Sequence, residues 1–346
     1  MAKINIAVDA MGGDNAPAAA VSGSIAALDG REGFTVTLVG REYSIHNELV
    51  RMKQGSDHLK TGRLVIRHAS EVISTGEIPT TAIKEKKNSS MVVALRLVKE
   101  GTAQAVVSAG STGALLTGGL LVIGRIKGIL RPALGVMVPT VGGFGYTLLI
   151  DAGANMDCRP AYLAQFARLG AVYMESLFNN PFPRIGLVNV GAETEKGNQL
   201  VKETFPILEK SGLNFTGNLE SRDLALDGAD VAVCDGFVGN ILLKHTEGMA
   251  KALFSSIKKE LKKGIVTKAG AILSRKAFTN IKTSFDASEV GGAPFLGLSG
   301  LVVKAHGNAG KRAVMNAILK SVTYVENDAQ ARLMKYFAEH DGEFKE

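Results

Sequence analysis

The sequence predicts an α/β protein built on a mostly parallel but mixed β-sheet, and three observations predict it. Runs of apolar β-formers alternate with segments of helical periodicity along nearly the whole chain, the pattern of βαβ units. Five of those runs end in a small, glycine-bearing turn that feeds a helical segment: INIAV into 9–14, AVVS into 109–113, TLLI into 151–155, GLVNV into 191–195 and VAVC into 235–240. Two adjacent runs, 134–138 and 146–151, are joined through Val141-Gly-Gly-Phe-Gly145, so a local hairpin mixes the sheet.

Taken in order, strands are expected at 3–9, 35–39, 63–68, 103–108, 134–138, 146–151, 185–190, 213–217, 230–235 and 298–304. Helical periodicity covers 90–100, 160–177, 199–209 and 309–325, the first opened by the capping residues Asn88, Ser89 and Ser90. The stretch Gly291-Gly-Ala-Pro-Phe-Leu-Gly-Leu-Ser-Gly300 reads as a flexible, apolar-lined loop able to cover a substrate. No low-complexity linker divides the chain, so one catalytic domain, 1–346, is expected. The exception is 240–285, where two helical patterns meet at Lys262-Lys-Gly264 and protrude as a basic amphipathic hairpin. Lys244, Lys251 and Lys258 recur every seven residues, as do Lys268, Arg275 and Lys282, which puts each set on one helix face.

Composition narrows the class. A chain of 346 residues with 46% hydrophobic residues, 40 Gly and no Trp fits a glycine-turned α/β enzyme. The net charge of +7 is local: residues 251–282 hold eight Lys, one Arg and one Glu, which leaves the remainder slightly acidic. That excludes a nucleic-acid-coating protein and points to one patch facing an anionic partner. Two cysteines, Cys158 and Cys234, supply neither a disulfide framework nor a four-cysteine zinc site. The N-terminus enters a strand at once and the longest apolar stretch is too short to span a bilayer, so a cytoplasmic location is expected.

In an open α/β sheet, ligands sit outside the carboxyl ends of the strands, so the five turns suggest one broad anion-binding crevice. Asp9, Gly12, Gly13 and Asp14 form the first turn. Ser111, Thr112 and Gly113 can present backbone N–H groups to a phosphate, or simply cap a helix. Lys196, before Asn198, can neutralise a phosphate or balance Glu193 and Glu195 in solvent. Asp235, Gly239 and Asn240 open the basic helix, where Asn240 can donate to an oxyanion or serve as a cap, and Asn155 closes the third turn. His306 is the one histidine in a glycine-rich strand-end turn and is a candidate acid. Cys234 reads as a buried small hydrophobe and Asp223 with Asp227 as a weak magnesium pair; no metal and no cofactor is expected. Dinucleotide, P-loop and serine-elbow fingerprints are absent from the sequence.

Together these blocks resemble the bacterial phosphate acyltransferase family over nearly the whole chain. They are Asp9-Ala-Met-Gly-Gly-Asp14 with Ala16-Pro17, residues 108–116, 151–155, 193–198, Gly217-Asn-Leu-Glu220 with Arg222-Asp223, 233–244, and 291–297 with His306-Gly307. Departures are Ala152, Ser221 and Val290, none of which removes a reacting group. The resemblance implies a three-layer α/β/α sandwich similar to isopropylmalate dehydrogenase and phosphotransacetylase, and a homodimer peripherally associated with the inner face of the membrane. It implies transfer of a long-chain acyl group from acyl-acyl carrier protein to inorganic phosphate, giving acyl phosphate for phospholipid synthesis and for the next acyltransferase of that pathway.

On that reading phosphate, held by the Ser111–Gly113 nest and Lys196, attacks the thioester directly, with Asn240 and amides near Gly239 stabilising the oxyanion. Lys258, Lys259, Lys262 and Lys263, with Ile265, Val266, Ile272 and Leu273, would meet the carrier protein or an anionic bilayer. The competing readings are an acyl-CoA:phosphate acyltransferase and a non-catalytic phosphate- or lipid-sensing scaffold at the membrane.

Overall fold

Strands buried on both faces and two β-hairpins, 133–150 and 293–304, account for most of the architecture. In the computed structural model, which describes residues 4–53, 55–285 and 291–340, the strands form one sheet in the order β3-β2-β1-β4-β11-β10-β5-β6-β9-β7-β8. They are β1 (Ile4–Asp9), β2 (Phe34–Gly40), β3 (Leu64–His68), β4 (Ala105–Ser108), β5 (Ala133–Pro139), β6 (Tyr146–Ile150), β7 (Ile185–Asn189), β8 (Phe215–Glu220), β9 (Val231–Val233), β10 (Ala293–Leu296) and β11 (Leu301–Lys304). The helices are α1 (Ala18–Gly30), α2 (Glu42–Met52), α3 (Ser56–Lys60), α4 (Pro79–Glu85), α5 (Ser90–Lys99), α6 (Thr112–Gly118), α7 (Pro160–Phe178), α8 (Gln199–Glu209), α9 (Gly236–Leu261), α10 (Ile265–Leu273), α11 (Arg275–Ser284), α12 (Lys311–Glu326) and α13 (Ala329–Glu339). The side chain of Lys282, and Val290, lie outside the described residues.

Successive side chains leave opposite faces of each strand, and both faces are buried. Ile6, Val8, Val107, Leu148, Ile150, Val231 and Val233 join one core, which α1, α7, α12 and α13 cover. Ala7, Val106, Leu149 and Ala232 join the other, under α4, α5, α6 and α9. Each fully buried Val, Leu or Ile contributes ~1.5–3 kcal/mol, so a charge placed mid-strand on either face would be destabilising. This is the expected three-layer α/β/α sandwich on a mostly parallel mixed sheet.

The β5–β6 hairpin decides what the two ends of the sheet can do. β1, β2, β3, β4 and β11 run parallel to one another, and β5 points the same way because β10 is antiparallel to both β11 and β5. β6 reverses, and β9, β7 and β8 follow it in parallel. The carboxyl ends of β1, β4 and β11 therefore lie at one edge, here the Asp9 edge. Those of β6, β7 and β9 lie at the opposite, Asp151 edge. The expectation of a single crevice fed by all five turns is corrected: the turns divide between two edges.

Two further readings change. The segment expected as a loop contains β10, buried along its length and inserted between β11 and β5. The helical region begins at Gly236, and its second limb is broken between Leu273 and Arg275 into α10 and α11.

Candidate active site

At the Asp9 edge, the loops after β1, β4 and β11 are tied into one unit. Asp9 is buried, and its Oδ2 accepts from Ser108 Oγ at 2.7 Å, while Ser108 Oγ accepts from Gly110 N at 3.0 Å. Burial raises the Asp9 carboxyl above its ordinary range, opposed by the hydroxyls of Ser90 and Ser108 and the amides of Met11 and Gly12. Asp14 N donates to Gly307 O at 2.8 Å, and Asn15 Nδ2 donates to Asn308 O at 3.0 Å. Gly13, at φ +91°, passes so close that a Cβ would lie 2.8 Å from both Ala109 Cβ and Gly307 O. Asp9 and Gly13 thus position the loops, and Gly12 packs against the Asp9 carboxylate in the same way.

What faces outward here is a set of helix starts. Ser111 caps α6 by accepting from Ala114 N at 3.4 Å, and Thr112 and Gly113 form its first turn. α12 opens at Gly310 with no side-chain cap. His306 is exposed between them in sequence, with Nδ1 accepting from Asn308 N at 3.4 Å. Because β4 and β11 are adjacent, the Ser111–Gly113 turn and His306 share one locality. Helix N-termini of this kind favour an anion.

Lys304, at the end of β11, is a residue the sequence reading passed over. It is buried, and its Nζ donates to the carbonyls of Ala305 and Ala109. Burial pulls its ammonium down from 10.5 to about 8, with Asp14 and Asp9 opposing that fall. The only sequence signal was a charge closing the apolar run LVVK, which reads equally as a strand ending in solvent.

At the Asp151 edge, the loop after β6 turns its donors inside the protein. The Asp151 carboxylate is fully buried and accepts from Leu134 N (3.0 Å), Gly153 N (3.1 Å), Ala154 N (2.9 Å), Asn155 N (2.7 Å) and Asn155 Nδ2 (2.8 Å). Burial still leaves its carboxyl raised above the ordinary range. Asn155 also donates to Pro132 O at 2.8 Å, so its amide is a brace for this loop. Asp235 caps α9 by accepting from Val238 N at 2.9 Å, and Gly236 N donates to Asn155 O at 2.7 Å.

Gly239 N is engaged with Asp235 O at 3.0 Å, which removes it as an oxyanion donor. A Cβ at Gly239 would stand 1.9 Å from Asp151 O, so glycine is there to let α9 touch the strand end. Asn240 lies inside α9 beside Gly153, and the cap is Asp235. Asn198 caps α8 by accepting from Val201 N at 3.0 Å, and Lys196 is exposed on the loop before it.

The proposed partnership of Lys196 with the Ser111 nest on one phosphate is not available within this chain. Six strand-to-strand steps separate β4 from β7, and the two turns face opposite edges. At ~4.8 Å per step the separation is on the order of 30 Å. Asp223 and Asp227 do not form a metal pair either: Asp227 binds Arg184 Nη2 at 2.7 Å. No cluster of three or more candidate metal ligands occurs among the described residues. Cys234 is buried and burial pushes its thiol well above the ordinary range, as it pushes Cys158 to about 12, so neither is a nucleophile.

The hairpin overhangs the Asp9 edge. Between it and the start of α12 lies a cleft of about 1120 Å³ whose walls include Phe254, Leu261, Phe278, Ala305, His306 and Gly310. At the tip, Ile265, Val266, Ile272 and Leu273 are 75–88% exposed. A second hollow of about 480 Å³, lined by Arg125, Arg131 and Tyr162 among others, was also unforeseen. No helix among the described residues is long and apolar enough to cross a membrane.

The chain is similar to known proteins over nearly its whole length. The family described as fatty acid synthesis protein matches residues 4–332. A phosphate acyltransferase of Caldanaerobacter subterraneus subsp. tengcongensis is 48% identical over 325 residues, covering 94% of this chain and 95% of the relative. One from Acetivibrio thermocellus is 45% identical over 332 residues, covering 96% of each. Among solved structures, the EutD phosphotransacetylase from Staphylococcus aureus shares the fold at a TM-score of 0.59 with 14% identity, covering 93% of this chain and 94% of that one. A phosphotransacetylase from Streptococcus pyogenes does so at 0.59 with 17% identity, covering 94% of each.

Proposed function

The chain belongs to the fatty acid synthesis protein family of phosphate acyltransferases, and from that membership we propose that it transfers a long-chain acyl group from acyl-acyl carrier protein to inorganic phosphate, giving acyl phosphate for phospholipid synthesis. The observation that carries the reading is the Asp9 edge, where the start of α12 and His306 line a large apolar cleft rimmed by cations and the anion-favouring start of α6 lies at the same edge.

Phosphate sits against the first turn of α6, at Thr112 and Gly113, in the field of the helical run 112–123. One of its oxygens attacks the thioester carbonyl carbon, forming the C–O bond, and collapse of the tetrahedral intermediate breaks the C–S bond. The thiolate leaves with the electron pair and takes a proton, which His306 can supply. Most of the acceleration comes from placing and desolvating two reactants, with the α12 N-terminus favouring the oxyanion. Asp9, Ser108 and Lys304 hold the loops in register, and Lys196 and Asn240 act outside this site.

Lys258, Lys259, Lys262 and Lys263 suit the acidic carrier protein, while the exposed tip, with those cations, suits the surface of an anionic bilayer at the inner face of the cell membrane. The outward face of α9 presents Phe237, Ile241, Met249 and Leu253, all exposed, which supports the homodimer. Delivery of acyl phosphate to the next acyltransferase of the pathway would follow from that location.

The test is thiol release from long-chain acyl-acyl carrier protein with and without inorganic phosphate, trapping acyl phosphate with hydroxylamine. Phosphate-dependent release with a trapped product is expected. Release only from acyl-CoA would move the assignment to the phosphotransacetylase type, and no release from either would leave a scaffold.

A further inference from the structure

We infer that the cleft between the hairpin and the Asp9 edge is the binding site for the donor's acyl chain and is built for a long chain; the inference rests on the acyltransferase reading above. At about 1120 Å³ the cleft exceeds the ~300–1,000 Å³ of ordinary small-molecule pockets. An acetyl group would leave it almost empty.

Its two walls have complementary origins. Phe254, Ile257, Leu261, Ala271 and Phe278 come from the hairpin, and Ala313 from α12. The Phe254 and Phe285 rings stand 6.5 Å apart across the base of the hairpin. These half-buried side chains give the hairpin an inner apolar face that only partly overlaps its tip: Ile272 lines the cleft, whereas Ile265, Val266 and Leu273 do not. A bilayer would meet the tip, whereas a chain in the cleft would meet the inner face.

Charge identifies the amphiphile further. Lys251, Lys258, Lys262, Lys268 and Arg275 line the same space, against one acid, Glu247. Lys251 and Lys258 of one limb and Lys268 and Arg275 of the other thus converge on one opening. A hydrocarbon alone would use the apolar wall and a small anion only the rim; an acyl chain joined to an anionic carrier, or leaving as acyl phosphate, uses both. His306 on the core wall puts the reacting end of the chain beside the phosphate locality.

The chain has no Trp, so Phe278→Trp places a single fluorescent reporter in the cleft, and Phe254→Trp provides a second should the first not fold. Monomeric hexadecanoate, with no carrier and no membrane, is expected to shift the emission to the blue and saturate. Affinity should rise about fourfold per methylene from octanoate through dodecanoate, the ~0.8 kcal/mol of one buried CH₂. Ala250→Glu in the reporter background should weaken hexadecanoate at least tenfold. No shift in either folded reporter, or a shift with phospholipid vesicles but not with the fatty acid, overturns the inference. Hexadecanoate binding without any phosphate-dependent thiol release would support the cleft assignment while sinking the acyltransferase reading.

Discussion

At the Asp9 edge the loops after β1, β4 and β11 bond to one another and leave His306 and the start of α12 facing a large cleft, with the start of α6 at the same edge. At the Asp151 edge the loop after β6, of similar composition, turns its N–H groups inward onto one buried carboxylate. Glycine-bearing turns at strand ends are therefore not equivalent evidence for a ligand. What separates them is where the donors point. A turn that gives Asp151 four N–H groups, beside a fifth from Leu134 of β5, has little left to offer an anion.

The difference can be broken most sharply at Gly239. A Cβ there would meet the Asp151 backbone oxygen at 1.9 Å, so Gly239→Ala should cost about 3 kcal/mol or more in urea denaturation by forcing α9 off the strand end. Gly248→Ala, in the same helix with open space around it, should instead stabilise by up to ~1 kcal/mol. Equal and small effects at both positions would deny the close packing claimed for the Asp151 edge.

Lys304 offers the next largest effect and belongs to the other edge. Its folded pKa is depressed, to about 8 from 10.5, so between those values the unfolded chain binds more protons and stability rises with pH. The cost of holding the ammonium is fully present below about 8 and is on the order of 3 kcal/mol. Lys304→Met should remove that rise from a stability–pH profile. A profile unchanged by the substitution would show that Lys304 is not buried as described.

His306→Ala should lower turnover by about tenfold at unchanged stability, a modest value because a thiolate leaves readily without full protonation. Lys196→Ala, on the exposed loop of the far edge, should change turnover by less than twofold and stability by no more than ~0.5 kcal/mol. A large loss at Lys196 with none at His306 would invert the assignment of the two edges.

Much of the fold was legible because its signals are local. Ser89, Ser111, Asn198 and Asp235 cap the helices that follow them, and each is readable from a polar residue before an apolar run. The hairpin at 141–145 was legible too, and reversal of β6 is its direct consequence; which strands inherit that reversal depends on crossovers spanning tens of residues. β10 was missed because Gly-Gly-Ala-Pro carries turn chemistry, and Pro294 has no N–H for a ladder. Its strand character comes from being clamped between β5 and β11, which no local window contains. The candidate site was half legible. Residue types at the Asp9 edge were found, but Lys304 was not, and Lys196 was grouped with Ser111 because sequence shows strand ends and not their direction.

The most direct test of the central claim, that phosphate is held at the Asp9 edge, is the phosphate KM of Thr112→Pro beside that of Lys196→Ala. Thr112 is the first residue of α6 and Ser111 precedes it at φ −53° and ψ 127°, outside the helical region, so proline fits the helix start and deletes one N–H. The account predicts a phosphate KM raised about tenfold or more for Thr112→Pro with the fold intact, and unchanged for Lys196→Ala. A KM that moves for Lys196→Ala and not for Thr112→Pro would place phosphate at the other edge and contradict it.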